Sequence, residues 1–174
     1  MKGLFILCLL SCSVSFGEDL PCSDIGTYDL KNSVISVKDG QALATKVDDQ
    51  DALPFKNGIC ELKDDPKNEK PDWRYDIIGD FMMRPTHQAK VRVIRIYENN
   101  LSGAGSWDRV MAFQCKGMGL EKIWQHRFTQ SIKLRRMNEI QFKISSPNPK
   151  SKTKSTDFGT YQWDNKHTTF SLRR

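Results

Sequence analysis

The chain has 174 residues, 38% hydrophobic and 28% charged, with a formal net charge of +6. That length suits one compact domain with a sizeable apolar core and excludes a miniature that folds only around metals or many disulfides. Past the amino end, no apolar run approaches the ~20 residues of a membrane-spanning helix.

The amino end carries its own pattern. Met1-Lys2-Gly3 gives one positive charge, residues 4–10 are apolar, and Ser15-Phe16-Gly17 offers small residues where a signal peptidase reads. This predicts a secretory signal over 1–17 and a single all-β domain over 18–174. The chain is then exported, to a periplasm or to the outside of a cell. The alternative lies in Leu9-Leu10-Ser11-Cys12, which resembles a lipobox. Lipidation at Cys12 would tether the same domain to a membrane. Cleavage after Gly17 leaves three cysteines, Cys22, Cys60 and Cys115. An oxidising compartment predicts one disulfide among them, with the pairing open, contributing ~2–4 kcal/mol.

In chain order, the first strand candidates are short, at 34–37, 43–47 and 59–62. Residues 64–71 form a charged, proline-bounded loop. Tyr75, Ile77, Phe81 and Met83 then alternate with Asp76, Asp80 and Arg84, and Gly79 within them predicts a close approach of neighbouring chain. Val91 and Val93 share one parity while Ile94 and Ile96 take the other, which predicts a β-bulge near 93–94. Gly103-Ala104-Gly105-Ser106 hints at a phosphate loop. Asp108 stands where the third glycine would be, so a hairpin loop is the better reading.

The clearest alternation runs over 124–134. Trp124, His126, Phe128, Gln130, Ile132 and Leu134 share one face, and Gln125, Arg127, Thr129, Ser131 and Lys133 the other. It predicts one half-buried strand. Residues 135–138 read as a hairpin tip, followed by Ile140, Phe142 and Ile144 at period two. Residues 145–156 are rich in Ser, Pro and Lys and predict a mobile basic loop. A final pair, 161–163 and 169–172, is joined by Asp164-Asn165-Lys166. Together these describe an antiparallel β-sandwich or small barrel of about eight to ten short strands.

Charge is distributed unevenly. Residues 18–81 hold 15 acidic and 8 basic side chains, whereas residues 82–174 hold 6 acidic and 18 basic ones. On the strand reading, Arg127 and Lys133 face outward on one strand and Lys143 on its partner. Arg135 and Arg136 stand at the tip, and Lys150, Lys152 and Lys154 alternate through the loop. This predicts a basic face for an anionic envelope polymer, a lipid headgroup or an acidic protein. No clear nucleic-acid signal is present, because no aromatic stacking set interleaves the basic residues clearly.

No catalytic, cofactor or metal motif is present. His87, His126 and His167 lack the i, i+4 spacing of a metal pair, and no Gly-x-Ser-x-Gly elbow occurs. The expectation is therefore an exported, non-enzymatic binding domain. Two alternatives stand beside it. A barrel could hold a small apolar ligand against Trp124, His126 and Phe128. A secreted enzyme would bring His126 to a carboxylate or to Cys115.

Overall fold

The structure, a computed structural model, describes residues 24–38, 51–103, 105–116, 119–148 and 156–173. The predicted signal over 1–17, Cys12, Cys22, the strand over 43–47 and Lys150, Lys152 and Lys154 lie outside the described residues.

Two 3₁₀ turns, Ile25–Thr27 and Leu30–Asn32, lead into β1 (Val34–Ser36), β2 (Ala52–Pro54) and β3 (Ile59–Leu62). Four longer strands follow: β4 (Trp73–Met83), β5 (Val91–Asn100), β6 (Gly105–Lys116) and β7 (Gly119–Phe128). The rest is β8 (Lys133–Arg136), β9 (Gln141–Ser145), β10 (Gly159–Asp164) and β11 (Thr169–Arg173). The chain is all-β, and every sheet is antiparallel. A five-stranded sheet has the order β3-β4-β5-β6-β7 and a four-stranded sheet the order β11-β10-β9-β8. Neither closes on itself, so the barrel alternative is wrong. Among the described residues no helix is long and apolar enough to cross a membrane.

The five-stranded sheet is buried on both faces. On one face Val91, Val93, Val110, Ala112 and Phe128 share a core with Phe142, Ile144, Tyr161, Trp163 and Phe170 of the four-stranded sheet. On the other, Ile94, Ile96, Met111 and Phe113 meet Ile25, Leu30, Ile35, Leu53 and Phe55 of the amino-terminal segment. This corrects the expected bulge in β5. Its register with β6 runs unshifted from Val91↔Gln114 to Asn100↔Gly105. Val93 and Ile94 point opposite ways, as strand residues do, and each finds a core.

The bulge lies in β4 instead, where the register shifts between Ile77 and Gly79. The extra residue moves every later side chain to the other face. Tyr75 and Ile77 therefore pack on the amino-terminal side, while Phe81 and Met83 pack against the four-stranded sheet. Gly79 does mark a close approach: a Cβ there would stand 3.3 Å from the Cβ of Arg95.

The alternation over 124–134 is not one strand. β7 ends at Phe128 and β8 begins at Lys133, in different sheets. Phe128 and Ile132 bury into the same core from its two sides. The crossing keeps parity, so period two does not register it. The expected hairpin tip also moves, because Arg135 and Arg136 belong to β8 and the turn follows them.

Cys60 is buried and free, and burial pushes its thiol up to about 12, with the Glu61 charge adding to the shift. It is not part of a disulfide.

Candidate anion-binding site

β8 and β9 pair Lys133 with Ser145, Leu134 with Ile144, and Arg135 with Lys143. Leu134 and Ile144 enter the core. Their neighbours Lys133, Arg135, Lys143 and Ser145 must therefore point away from it. The register continues across the sheet, Lys143↔Thr160 and Thr160↔Arg173. Arg135, Lys143 and Arg173 thus stand in one cross-strand row, with Thr160 the single uncharged member. At roughly 4.8 Å per strand, Lys143 is one step from Arg135 and about 10 Å from Arg173.

None of Lys133, Arg135, Lys143 and Arg173 has an ion-pair partner among the described residues. Like charges directly opposite each other, as in Arg135 and Lys143, destabilise a strand pair. The outer face does carry one acid in these strands, Asp164, at the far end of β10. That carboxylate is engaged by His167, with Nδ1 2.7 Å from Oδ2, and this hydrogen bond holds it below the usual carboxylate range.

At the edge of the sheet the face turns inward as a pocket of about 540 Å³, lined by Arg95, Lys133, Leu134, Arg135, Lys143 and Ser145. Arg95 reaches it from β5. Its Nε and Nη2 donate to the two oxygens of Asp108 at 2.8 and 2.9 Å. Asp108 is fully buried, and it also accepts the Ile132 N–H at 2.7 Å. One carboxylate therefore fixes the guanidinium and the backbone just before Lys133. Arg95 and Ser145 were not legible as site residues, because Arg95 lies in an apolar run and Ser145 opens a polar loop. Arg173 was findable from the Thr169, Ser171, Arg173 alternation.

Arg127 and Arg136 are placed elsewhere. Arg127 does not share a strand with Lys133. It lies on β7 in the five-stranded sheet, where its Nε is 2.8 Å from Glu98 and its guanidinium sits 4.9 Å from the Trp107 ring centroid. Arg109 binds the other Glu98 oxygen at 2.6 Å, and Glu98 is only 1% exposed. Arg136 is paired with Glu139 in the turn after β8.

Trp124, His126 and Phe128 face the four-stranded sheet. The space they would line is filled: the Trp124 ring meets Tyr161 at 5.0 Å and Phe142 at 5.7 Å. His126 does meet a carboxylate, with Nε2 3.3 Å from Asp157, but both side chains are more than a third exposed. A second pocket of about 520 Å³ lies beside the first 3₁₀ turn and includes Asp24, Lys90, Cys115 and Trp163. Its one lysine is paired with its one aspartate at 3.2 Å, so it has no surplus of charge. Compared with protein-family models, curated proteins and solved structures, the chain matches none.

Proposed function

We propose that this chain is an exported, non-enzymatic binding domain that docks its four-stranded sheet onto a polyanionic surface. One observation carries the reading. Lys133, Arg135, Lys143 and Arg173 lie together on the outer face of that sheet with no acid paired to them among the described residues, although acids neutralise most of the other arginines. A solvated face would normally mix its charges. A row of one sign raises the local concentration of an oppositely charged partner and weakens like-charge neighbours until that partner arrives.

The test is binding to an immobilised polyanion, such as heparin, across a salt series. Binding is expected to weaken steeply with ionic strength. The double variant Lys143→Gln, Arg173→Gln should lower it, whereas Lys56→Gln, on the opposite side of the molecule from the row, should not. Binding that is equal in low and high salt would refute the reading.

Export also bears on the cysteines. With Cys60 buried and free, the disulfide expected of an oxidising compartment falls to Cys22 and Cys115. Non-reducing peptide mapping of the exported protein should find those two joined, and finding Cys60 joined to either would overturn the pairing.

A further inference from the structure

We propose that the pocket at the β8 edge is a recognition site for a phosphomonoester group, so that the anionic partner bears phosphate rather than carboxylate. The inference rests on the polyanion reading of the same face and names the chemistry it selects.

Charge is the first argument. Lys133, Arg135 and Lys143 bring three uncompensated cations to a pocket of about 540 Å³. The charge of Arg95 is already balanced by Asp108. A carboxylate brings one negative charge and would leave most of that surplus in place. A phosphomonoester brings about −1.5 to −2 at neutral pH and three acceptor oxygens.

Geometry is the second. A planar carboxylate is satisfied by one guanidinium fork, and the fold uses that pairing where it wants it, as Arg95 with Asp108 and Arg92 with Asp80. In the pocket the cations come from three strands, β5, β8 and β9, so the Arg135 guanidinium is joined by Lys133, Lys143 and Arg95, more donors than a single fork supplies. Donors converging from several directions suit a tetrahedral group. Ser145 adds a hydroxyl beside Lys133.

Preorganisation is the third. Arg95 spends Nε and Nη2 on Asp108 and also lines the pocket. Asp108 is fully buried and also holds the Ile132 N–H, next to Lys133. The carboxylate thus sets the spacing between the arginine and the lysine before any ligand binds. Arg95 is a positioning and binding group here, held as a planar guanidinium that a lysine would not reproduce.

The experiment titrates the full chain with glycerol 3-phosphate and with glucuronate at matched ionic strength, by calorimetry. Glycerol 3-phosphate is expected to bind and glucuronate to bind at least about tenfold more weakly, the scale of one charge-assisted hydrogen bond. Lys133→Gln with Lys143→Gln, both on exposed side chains, should weaken the phosphate by about tenfold or more. Arg173→Gln, outside the pocket, should leave it unchanged while lowering heparin binding. Arg95→Lys should keep the heparin interaction and lose the preference for phosphate. Vesicles containing phosphatidic acid, run beside the soluble ester, separate the two sources: vesicle binding that glycerol 3-phosphate competes away assigns a lipid source, and binding of the ester without vesicle binding assigns a soluble one. Equal affinity for the two soluble anions, or no effect of the double lysine variant, would overturn the phosphate inference and leave the polyanion reading standing. Loss of heparin binding in the wild type would overturn the polyanion reading itself.

Discussion

Asp108→Asn is the most informative single change, because it removes one charge and almost no volume. In the native fold Asp108 is fully buried, takes two hydrogen bonds from Arg95 and takes a third from the Ile132 backbone. The asparagine keeps one acceptor, so part of this survives. What is lost is the charge opposite Arg95, whose side chain is 19% exposed. Removing one member of a fully buried ion pair costs about 3–5 kcal/mol. The partial exposure of Arg95 puts the expected loss at the lower end, about 3 kcal/mol. For a domain of this size that lowers Tm by about 6–12 °C. Urea denaturation should show a lower midpoint with an unchanged slope. The double variant Asp108→Asn, Arg95→Met should recover much of the loss, because the guanidinium no longer lacks a partner. A loss below about 1 kcal/mol, or strictly additive single and double variants, would refute the view that Asp108 clamps Arg95 and the start of β8.

Three further outcomes follow from other parts of the molecule. Cys60 is 2% exposed and its thiol is pushed up to about 12, so a thiol-reactive disulfide reagent should label it only after unfolding; fast labelling of the native chain would contradict the packing. Burial, reinforced by Glu98, raises the Tyr75 phenol to about 12, and burial with Asp157 does the same for Tyr161. Both phenols hold their protons more tightly folded than unfolded, where tyrosine titrates near ~10. Their contribution is complete below that value and lost as pH rises towards 12, so alkaline unfolding should coincide with the rise in phenolate absorbance. Gly58 sits at φ 81° after Asn57 at φ 54°, in the tight turn closed by Lys56 and Ile59. Gly58→Ala should cost about 1–2 kcal/mol, read as a lower urea midpoint.

Period two is legible in this sequence wherever a strand has one apolar face. β9, β10 and β11 come out near their true positions because Phe142, Ile144, Tyr161, Trp163 and Phe170 alternate cleanly with polar residues. The same rule misleads in the five-stranded sheet. Val93 and Ile94 are both fully buried, on opposite faces, so no alternation exists for it to read. Phe128 and Ile132 mislead in the reverse direction, since they keep one parity while the chain changes sheet. That error carried Arg127 into the candidate site. Lys133 and Lys143 fall on paired strands as their alternation predicts, because those strands are one-sided, whereas Arg135 moves from the expected tip into β8. Arg95 could not be found this way, because its role depends on Asp108, 13 residues away in sequence and opposite no partner that a local pattern reveals.

The uneven charge of the two halves resolves into two different uses of basic residues. On the five-stranded sheet, arginines meet acids at short range: Arg74 with Asp76, Arg92 with Asp80, Arg95 with Asp108, and Arg109 and Arg127 with Glu98. One of those pairs, Arg92 with Asp80, joins the basic half to the acidic half, so the halves do partly cancel where they touch. The four-stranded sheet lies wholly in the basic half, and its outer face meets no acidic strand. Its cations are left over because, among the described residues, the acid-rich strands lie in the other sheet. A surplus that arises from layering cannot be relieved by rotamer changes or local repacking. Among the described residues nothing relieves it, so a partner approaching the outer face of β8, β9, β10 and β11 from solvent would, and the pocket beside Arg95 gives such a partner a defined place to bind.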